Sequence, residues 1–154
     1  MTDEITIDEA DPRCASARTG LAAYYAELAR RFPGGFDVTL SRDPDAADML
    51  RPKGTFLIAR RGPDTIACAG LKGHGSWGEV KRLWVDPSVR GHGLATRLMS
   101  RIETAARDMG MTALRLDTNS ALPEAVAMYR KAGWTEIPRF NDDPYAQLFF
   151  EKRL

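Results

Sequence analysis

The sequence predicts a single α/β domain in which helices flank a mixed, mostly antiparallel sheet. The length of 154 residues is enough for one hydrophobic core but short for two. Short apolar or alternating runs between turn residues indicate strands, and longer runs with apolar positions three or four residues apart indicate helices. These patterns follow in the order β, α, α, β, β, β, α, β, α, β, which favours one domain over residues 1–154.

The first third of the chain contains a strand, a helix and a polar lobe. Residues 2–7 alternate weakly, as in an edge strand. Residues 15–32 have apolar side chains at helical spacing, and the stretch FPGG that follows ends the helix. Residues 37–53 are polar and contain two prolines, which predicts a surface lobe. Within it the stretch DPDAADML predicts a short helix with Asp43 as N-cap.

Three consecutive strands are predicted in the middle of the chain. Residues 55–60 and 65–72 are apolar runs joined by the turn sequence RGPD, which indicates a hairpin. Residues 79–85 alternate as a third antiparallel strand. In that alternation one face holds Glu79, Lys81, Leu83 and Val85, and the other holds Val80, Arg82 and Trp84.

The last third alternates between helices and strands. Residues 94–109 have the strongest helical spacing in the chain, and Gly110 follows as a stop. Residues 113–118 predict a strand, residues 124–132 a helix and residues 145–154 a final strand.

Composition argues against several classes of function. The net charge is +1, from 22 basic and 21 acidic residues, so no strong field favours nucleic acid as partner. No apolar run approaches the roughly 20 residues that span a membrane. Cys14 and Cys68 lack a C-x-x-C spacing, which fits reduced thiols in a cytoplasmic protein. No cluster has metal-ligand spacing, so no metal is predicted.

The stretch VDPSVRGHGLATRL, residues 85–98, joins a predicted strand to a predicted helix. The first backbone N–H groups of a helix lack helical partners and attract anions. Gly91 and Gly93 permit the positive φ angles of an anion-binding loop, and Arg90 adds charge. The alternative is an ordinary connection with turn residues. Neither a G-x-G-x-x-G dinucleotide motif, whose third glycine would replace Thr96, nor a Walker A loop is present.

Residues 90–95, RGHGLA, resemble the R-x-x-G-x-[GA] signature of the GNAT superfamily of acetyl-CoA-dependent N-acetyltransferases. The stretch EVKRLWVDPSVRGHGLATRLM is similar to the motif A of that superfamily, and EAVAMYRKAGW to its motif B. The resemblance covers residues 55–154, the expected acetyl-CoA-binding core, and leaves residues 1–54 as a variable acceptor-side part. The ending RFNDDPYAQLFFEKRL also resembles acetyltransferase domains that occur fused to winged-helix regulators.

The resemblance implies a splay between the fourth and fifth strands, through which the pantetheine arm of acetyl-CoA reaches the acceptor. The main chain of the fourth strand would pair with the arm, and loop amides would hold the pyrophosphate. The residues implied for the cofactor are Leu83, Trp84, Val85, Arg90, Gly91, His92, Gly93, Leu94, Ala95, Thr96, Asn119 and Tyr129. His92 would contribute its backbone rather than its ring.

Two side chains match the catalytic residues of the superfamily. An alkyl ammonium with a pKa near ~10.4 needs a base before it can attack a thioester, and Glu79 matches the general-base position, with Asp117 in reserve. Tyr129 matches the tyrosine that protonates the departing thiolate. The alternatives are that Glu79 is a solvated carboxylate paired with Lys81 or Arg82, and that Tyr129 only completes a helix face.

Two further polar residues, Asn119 and His74, stand near the predicted site. The superfamily often has an asparagine seven residues before the tyrosine, where this chain has Leu122. Asn119 therefore either reaches the cofactor or caps the following helix. His74, flanked by glycines, is predicted as an exposed turn residue.

The resemblance places the acceptor among the first helices and the last hairpin, here residues 15–50 and 138–145. Asp142 and Asp143 would suit an ammonium group and Arg139 a carboxylate. The predicted acceptor is therefore a primary amine of a small molecule or an amino-acid-like compound, in a protein that is a possible homodimer. A non-catalytic acyl-CoA-binding module and acetylation of a protein amine are the alternatives. The residues expected to bind the acceptor are Tyr25, Arg82, Asp117, Arg139 and Asn141.

Overall fold

The computed structural model describes residues 4–40 and 46–154 and contains one seven-stranded sheet in the order β1-β2-β3-β4-β5-β7-β6. All neighbouring strands are antiparallel except β4 and β5, which are parallel. The strands are β1 (Ile5–Glu9), β2 (Gly54–Arg61), β3 (Asp64–Gly73), β4 (Trp77–Val85), β5 (Ala113–Thr118), β6 (Thr135–Glu136) and β7 (Leu148–Arg153).

Helices cover both faces of this sheet. Helix α1 (Ala15–Arg31) lies on one face, and α2 (Leu94–Asp108) and α3 (Pro123–Lys131) lie on the other. The α1 side has a core around Leu21, Phe56 and Cys68, whereas the α2 side has a larger core that includes Leu98 and Ile102. The predicted fold class and both long helices are confirmed. The apolar stripes that the sequence shows for α1 and α2 are the faces that these helices bury against the sheet.

Several element boundaries differ from the prediction. Strand β1 begins at Ile5 and continues to Glu9, and the final strand begins at Leu148. The two-residue strand β6 was not predicted, since two residues carry no periodicity. In the described part of the polar lobe a 3₁₀ turn forms at Val38–Leu40, and residues 46–50 are turns rather than helix. The predicted cap Asp43 lies outside the described residues.

The alternation predicted for β4 is wrong because the strand contains a β-bulge. Lys81 pairs with Gly70 and Trp84 with Cys68, so Arg82 and Leu83 together face one residue of β3. Arg82 adopts a left-handed backbone conformation, with φ of 56°. The extra residue reverses the faces beyond it.

As a result, Val80 and Trp84 pack into opposite cores. Glu79 and Lys81 share the α1 side with Arg82, while Leu83 and Val85 pack on the α2 side.

The bulge coincides with a splay between the two parallel strands. Strand β4 pairs with β5 only where Trp77–Glu79 faces Ala113–Arg115. Beyond Glu79 both strands continue, to Val85 and Thr118, without pairing to each other. The edge of β4 that faces the gap is therefore left without a neighbouring strand.

Candidate active site

A groove of about 340 Å³ runs between β4, the start of α2 and helix α3. It is lined by Leu83, Trp84 and Val85 of β4 and by residues of the loop that enters α2. Nine of the residues expected to bind the cofactor line this groove: Leu83, Trp84, Val85, Arg90, Gly91, Gly93, Leu94, Ala95 and Thr96. His92, expected to contribute only its backbone, is not among its lining residues.

Two loop glycines adopt the positive φ angles expected from the sequence. Gly91 has φ of 84° and Gly93, the N-cap of α2, has φ of 78°. A Cβ atom at either position would have no heavy atom within 4 Å, so backbone conformation and not space requires glycine here. No side chain caps the amides at the start of α2. The loop thus presents backbone N–H groups at a helix N-terminus that faces the groove.

The guanidinium of Arg90 is held by the protein itself. Its Nε donates to the carbonyl oxygen of Val85 at 2.8 Å, and its Nη2 donates to the carboxylate of Glu27 on α1. Arg90 therefore fastens the loop to both β4 and α1. The sequence suggested Arg90 as a nearby charge and as part of the cofactor-binding loop. It did not suggest the partner Glu27, which is 63 residues away along the chain.

A second, smaller cavity of about 120 Å³ lies on the other side of the splay. It shares Tyr24, Leu28, Leu83, Leu122 and Ala125 with the groove. The two spaces therefore meet between β4 and β5. The remaining lining residues come from α1 and the loop after it, from β4 at and before the bulge, from the end of β5 and the residue that follows it, from α3 and from the loop before β7.

Tyr129 lines this smaller cavity from helix α3 and is 6% exposed. Burial raises the pKa of its hydroxyl above the ordinary tyrosine value, with a smaller effect of the nearby Asp117 carboxylate in the same direction. The phenol is therefore protonated at neutral pH and is able to donate a proton into the cavity. Its ring also packs against Trp134 and Phe150, so the packing and the cavity-lining roles coexist.

Asp117 lines the same cavity from β5. Burial raises the pKa of this carboxyl, while the Lys81 ammonium and a hydrogen bond from Asn141 oppose the rise. Asn141 Nδ2 donates to Asp117 Oδ2 at 2.7 Å. A carboxylate in such surroundings is a stronger proton acceptor than one in water.

Glu79 is buried, with 3% of its surface exposed. It is not among the residues that line the cavity. Its two oxygens contact His74 Nε2 at 3.0 Å and Lys81 Nζ at 3.2 Å. The alternative of a solvated carboxylate is wrong, although its predicted partner Lys81 is correct. His74 is not an exposed turn residue either, since its ring stacks on Trp77 with centroids 4.1 Å apart.

The residues predicted for the acceptor fall into two groups. Tyr25 and Arg82 line the cavity with Asp117, and Arg82 Nε donates to the hydroxyl of Tyr25 at 3.0 Å. Asn141 lies behind this wall through its bond to Asp117. Arg139 is not a lining residue: its guanidinium donates to the carbonyl of Ala146 at 2.7 Å and to other carbonyls of its own loop.

Asn119 lines the cavity, but it does not cap α3. Its Nδ2 donates to the carbonyl of Tyr145 at 2.9 Å, and its Oδ1 accepts from the amide of Ala121. The N-cap of α3 is Leu122, which makes no side-chain cap. Asn119 thus connects the end of β5 to the loop before β7.

Several lining residues were not predicted from the sequence. They include Tyr24, Phe32, Phe36, Lys81 and Tyr145, whereas Asp143, which was expected to suit an ammonium group, does line the cavity. Phe32 and Tyr24 belong to the helical spacing of residues 15–32, and such spacing does not distinguish a core from a cavity wall. Arg82 lies on the same side as Lys81 only because of the bulge, which the sequence pattern does not reveal.

In residues 4–40 and 46–154, no three His, Cys, Asp or Glu side chains are grouped so that they could hold a metal ion. Over the same residues, no helix combines the length and the apolar character that a membrane crossing requires.

Comparison with known proteins gives a consistent result. Residues 21–134 match the model of the acetyltransferase (GNAT) family. The chain is 37% identical over 115 residues to an IAA acetyltransferase of Azospirillum brasilense, covering 71% of this chain and 74% of the relative. It is 27% identical over 118 residues to the aminoalkylphosphonate N-acetyltransferase of Salmonella typhimurium, covering 73% and 77%.

Solved structures share the fold. A GNAT-family acetyltransferase from Staphylococcus aureus superposes with a TM-score of 0.84 at 17% identity, covering 97% of this chain and 99% of that chain. N-acetylglutamate synthase from Neisseria gonorrhoeae, in complex with coenzyme A and N-acetyl-glutamate, superposes with a TM-score of 0.70 at 18% identity, covering 100% of this chain and 36% of that one.

Proposed function

Because this chain belongs to the acetyltransferase (GNAT) family, we propose that it transfers an acetyl group from acetyl-CoA to the primary amine of a small acceptor. The observation that carries the proposal is the meeting of the groove and the smaller cavity at the splay between β4 and β5. Two ligands that enter from opposite sides would meet there, as direct transfer requires.

The residues of the groove fit acetyl-CoA. The pantetheine arm carries amide groups, and the unpaired edge of Leu83, Trp84 and Val85 offers main-chain partners to an extended amide. The pyrophosphate is an anion, and the loop of residues 90–96 offers amides at a helix N-terminus. Arg90 would support this loop through Glu27 and Val85.

The side chains of the cavity fit the two proton transfers. Asp117, with its raised pKa, would accept the proton of the attacking amine. Tyr129 would protonate the sulfur as the C–S bond breaks and negative charge develops on it. Because a phenolate has a higher affinity for protons than a thiolate, Tyr129 would then regain a proton from solvent. Glu79 remains the second candidate base, and Lys81 lies between it and the cavity. In both cases the amine attacks the thioester carbonyl, the C–S bond breaks and the C–N bond forms.

The size of the cavity favours a small acceptor over a protein amine. A space of about 120 Å³ is comparable to a cavity that holds one small ring. The names of two relatives also refer to small compounds, an IAA and an aminoalkylphosphonate.

The test is release of free thiol from acetyl-CoA with a panel of amines and amino acids. The proposal predicts thiol release with at least one small amine, at a rate that falls strongly in the Tyr129→Phe variant while acetyl-CoA affinity is kept. Binding of acetyl-CoA without turnover of any amine would support the alternative of a binding module. Turnover only with peptides would support a protein acceptor.

A further inference from the structure

Lys81 and Asp117 lie on opposite sides of the splay, close to the point where the two parallel strands separate. The last pair between β4 and β5 is Glu79 with Arg115. Lys81 and Asp117 follow two residues later on their strands, so their side chains point to the same face of the sheet as that pair. Both line the smaller cavity. A cation from one strand and a carboxyl from the other therefore border the same space.

The surroundings of Asp117 favour its protonated form. Burial raises the pKa of its carboxyl, and the carboxylates of Glu79 and Asp143 raise this pKa further. Asp143 lines the same cavity and is 8% exposed. The hydrogen bond that Asp117 accepts from Asn141 opposes the rise, but an amide carries no charge. A carboxyl in such a place needs a cation nearby if it is to stay ionised.

Lys81 supplies this cation. Of the neighbours of Asp117, the Lys81 ammonium opposes the rise of its pKa most strongly. A lysine ammonium sits on a flexible stem of four carbons, so its position depends on a partner. Lys81 Nζ donates to Glu79 Oε2 at 3.2 Å, and the two side chains are 11% and 4% exposed. The ammonium is thus already paired within the protein, and it still lines the cavity.

Glu79 is held in turn through its other oxygen. His74 Nε2 lies 3.0 Å from Glu79 Oε1. The His74 ring stacks on Trp77, with centroids 4.1 Å apart, and the guanidinium of Arg115 lies 4.6 Å from the centroid of the Trp77 ring. One oxygen of Glu79 therefore contacts His74 and the other contacts Lys81. The contacts run from a stacked aromatic pair to the wall of the cavity.

We propose that Lys81 is a positioning residue that keeps the Asp117 carboxylate charged. Glu79 and His74 hold the Lys81 ammonium in place. This inference rests on the proposed function, in which Asp117 accepts the proton of the acceptor amine as the C–N bond forms. A protonated Asp117 has no free place for that proton, so loss of the Lys81 charge slows the reaction at neutral pH without removing a reacting group.

The titratable and charged groups around Asp117 come from several elements. They are Glu79, Lys81 and Arg82 of β4, Tyr24 and Tyr25 of α1, Tyr129 of α3, and Asp143 and Tyr145 of the loop before β7. Burial raises the pKa of Tyr24 and Tyr129, so both hydroxyls are neutral in the acid range. Carboxyls and imidazoles are the side chains that ordinarily change charge between about pH 4 and pH 8. Substitution of Lys81 leaves all of these carboxyls, and His74, in the protein.

The experiment is a pH profile of kcat/KM, measured by thiol release from acetyl-CoA with one small amine. The same amine is used throughout, so its own ionisation affects all variants alike. In Lys81→Met the rise of kcat/KM with pH should move to higher pH by about one unit or more. At neutral pH kcat/KM is then about tenfold lower, and the loss shrinks as the pH rises. A merely structural defect would lower kcat/KM by the same factor at every pH.

Further variants locate the origin of the shift. Lys81→Arg keeps a cation beside Glu79 and should keep the wild-type profile. Lys81→Gln is neutral but can still donate to Glu79, so it should shift the profile as Lys81→Met does, and it serves if the methionine variant does not fold. His74→Phe keeps an aromatic ring but loses the contact with Glu79, and should shift the profile in the same direction by a smaller amount.

Lys152→Met is the matched control. It breaks a pair of the same kind, in which Lys152 Nζ lies 3.3 Å from a carboxylate oxygen of Glu103, and Lys152 lines neither the groove nor the cavity. The profile of this variant should coincide with that of the wild type. An equal shift in Lys152→Met and Lys81→Met would overturn the inference, because the effect would then not depend on the cavity.

Carbon NMR of the Asp117 carboxyl, identified by the signal that Asp117→Asn lacks, follows its ionisation without turnover. The pKa of Asp117 in Lys81→Met should exceed that in the wild type by about one unit or more. Equal values in the wild type and in both neutral variants would overturn the inference. A raised value in a protein that acetylates no amine would support the inference and contradict the proposed function, and turnover with an unchanged value would do the reverse.

Discussion

The groove proposed for the cofactor and the cavity proposed for the acceptor lie side by side, yet they are built in opposite ways. The groove comes mostly from one continuous stretch, β4, the loop and the start of α2, and its central feature is backbone. The cavity draws side chains from α1, β4, β5, α3 and three loops. A ligand shared by a whole family can thus be bound by one short motif, whereas the acceptor depends on residues from most of the chain.

The largest effect is expected in the cavity. Tyr129→Phe removes one hydroxyl and keeps the ring that packs on Trp134 and Phe150. The variant should lose about 10²–10⁴-fold in kcat, because the departing thiolate loses its proton donor. The rate of thiol release from acetyl-CoA gives kcat, and titration calorimetry should show an unchanged Kd for acetyl-CoA. A loss of less than about threefold would mean that Tyr129 only packs.

Asp117→Asn tests whether Asp117 is the base that accepts the proton of the amine. The proposed base is lost, so kcat/KM should fall by about 100-fold or more. In the wild type kcat/KM should rise with pH as Asp117 ionises, above its ordinary pKa because burial raises it. Glu79→Gln is the companion variant, and a greater loss there, with Asp117→Asn nearly unaffected, would assign the base to Glu79.

The raised pKa of Asp117 also determines how the stability of Asp117→Asn, compared with the wild type, changes with pH. A carboxyl whose pKa is raised by folding stabilises the protein while it is protonated, and this contribution is lost as the pH rises through the folded-state pKa. The Asp117→Asn side chain does not ionise and can still accept the bond from Asn141. Its free energy of unfolding, relative to the wild type, should therefore increase from acid to neutral pH. A relative decrease would contradict the assignment.

An intermediate effect is expected at the loop. Gly93→Ala places a Cβ on a left-handed residue, with φ of 78°, and should cost about 1–2 kcal/mol of stability. Gly62→Ala, in the hairpin turn with φ of 60° and equally open space, is the matched control for that strain. Only Gly93→Ala should raise the Kd of acetyl-CoA, by about tenfold. Equal Kd values in the two variants would argue against an amide cradle at residues 90–96.

The smallest effect concerns the link between groove and helix α1. Glu27→Gln weakens the hold on the Arg90 guanidinium, which is partly exposed, so the Kd of acetyl-CoA should rise by only about two- to fivefold. Glu136→Gln breaks an exposed pair with Arg130 and should leave the Kd unchanged. Titration calorimetry at two salt concentrations would show the difference shrinking as salt rises. A rise in Kd with Glu136→Gln alone would show that the Arg90 link is irrelevant.

The two regions also differ in how far the sequence predicts them. For the groove, local patterns predicted the strand, the loop with two glycines and the amphipathic helix, and the resemblance to the superfamily then implied nine of the lining residues. In the cavity, Tyr129, Asp117 and Arg82 were predicted, but Lys81 was not. Strand alternation places Lys81 on the face opposite Arg82, and only the bulge at Arg82, which alternation does not reveal, puts the two on the same side. Arg139, predicted to bind a carboxylate, instead binds carbonyls of its own loop, since composition alone does not distinguish a ligand site from a loop support.

Amide hydrogen exchange tests the division into groove and cavity most directly, because it needs no turnover and its first step needs no known acceptor. Acetyl-CoA added to the protein should slow exchange of the amides at residues 83–85 and 90–96, and should leave those at residues 139–147 unchanged. An acceptor added afterwards should slow exchange at residues 139–147. Protection by acetyl-CoA of residues 139–147, with residues 90–96 unaffected, would contradict the assignment of the groove to the cofactor and of the cavity to the acceptor.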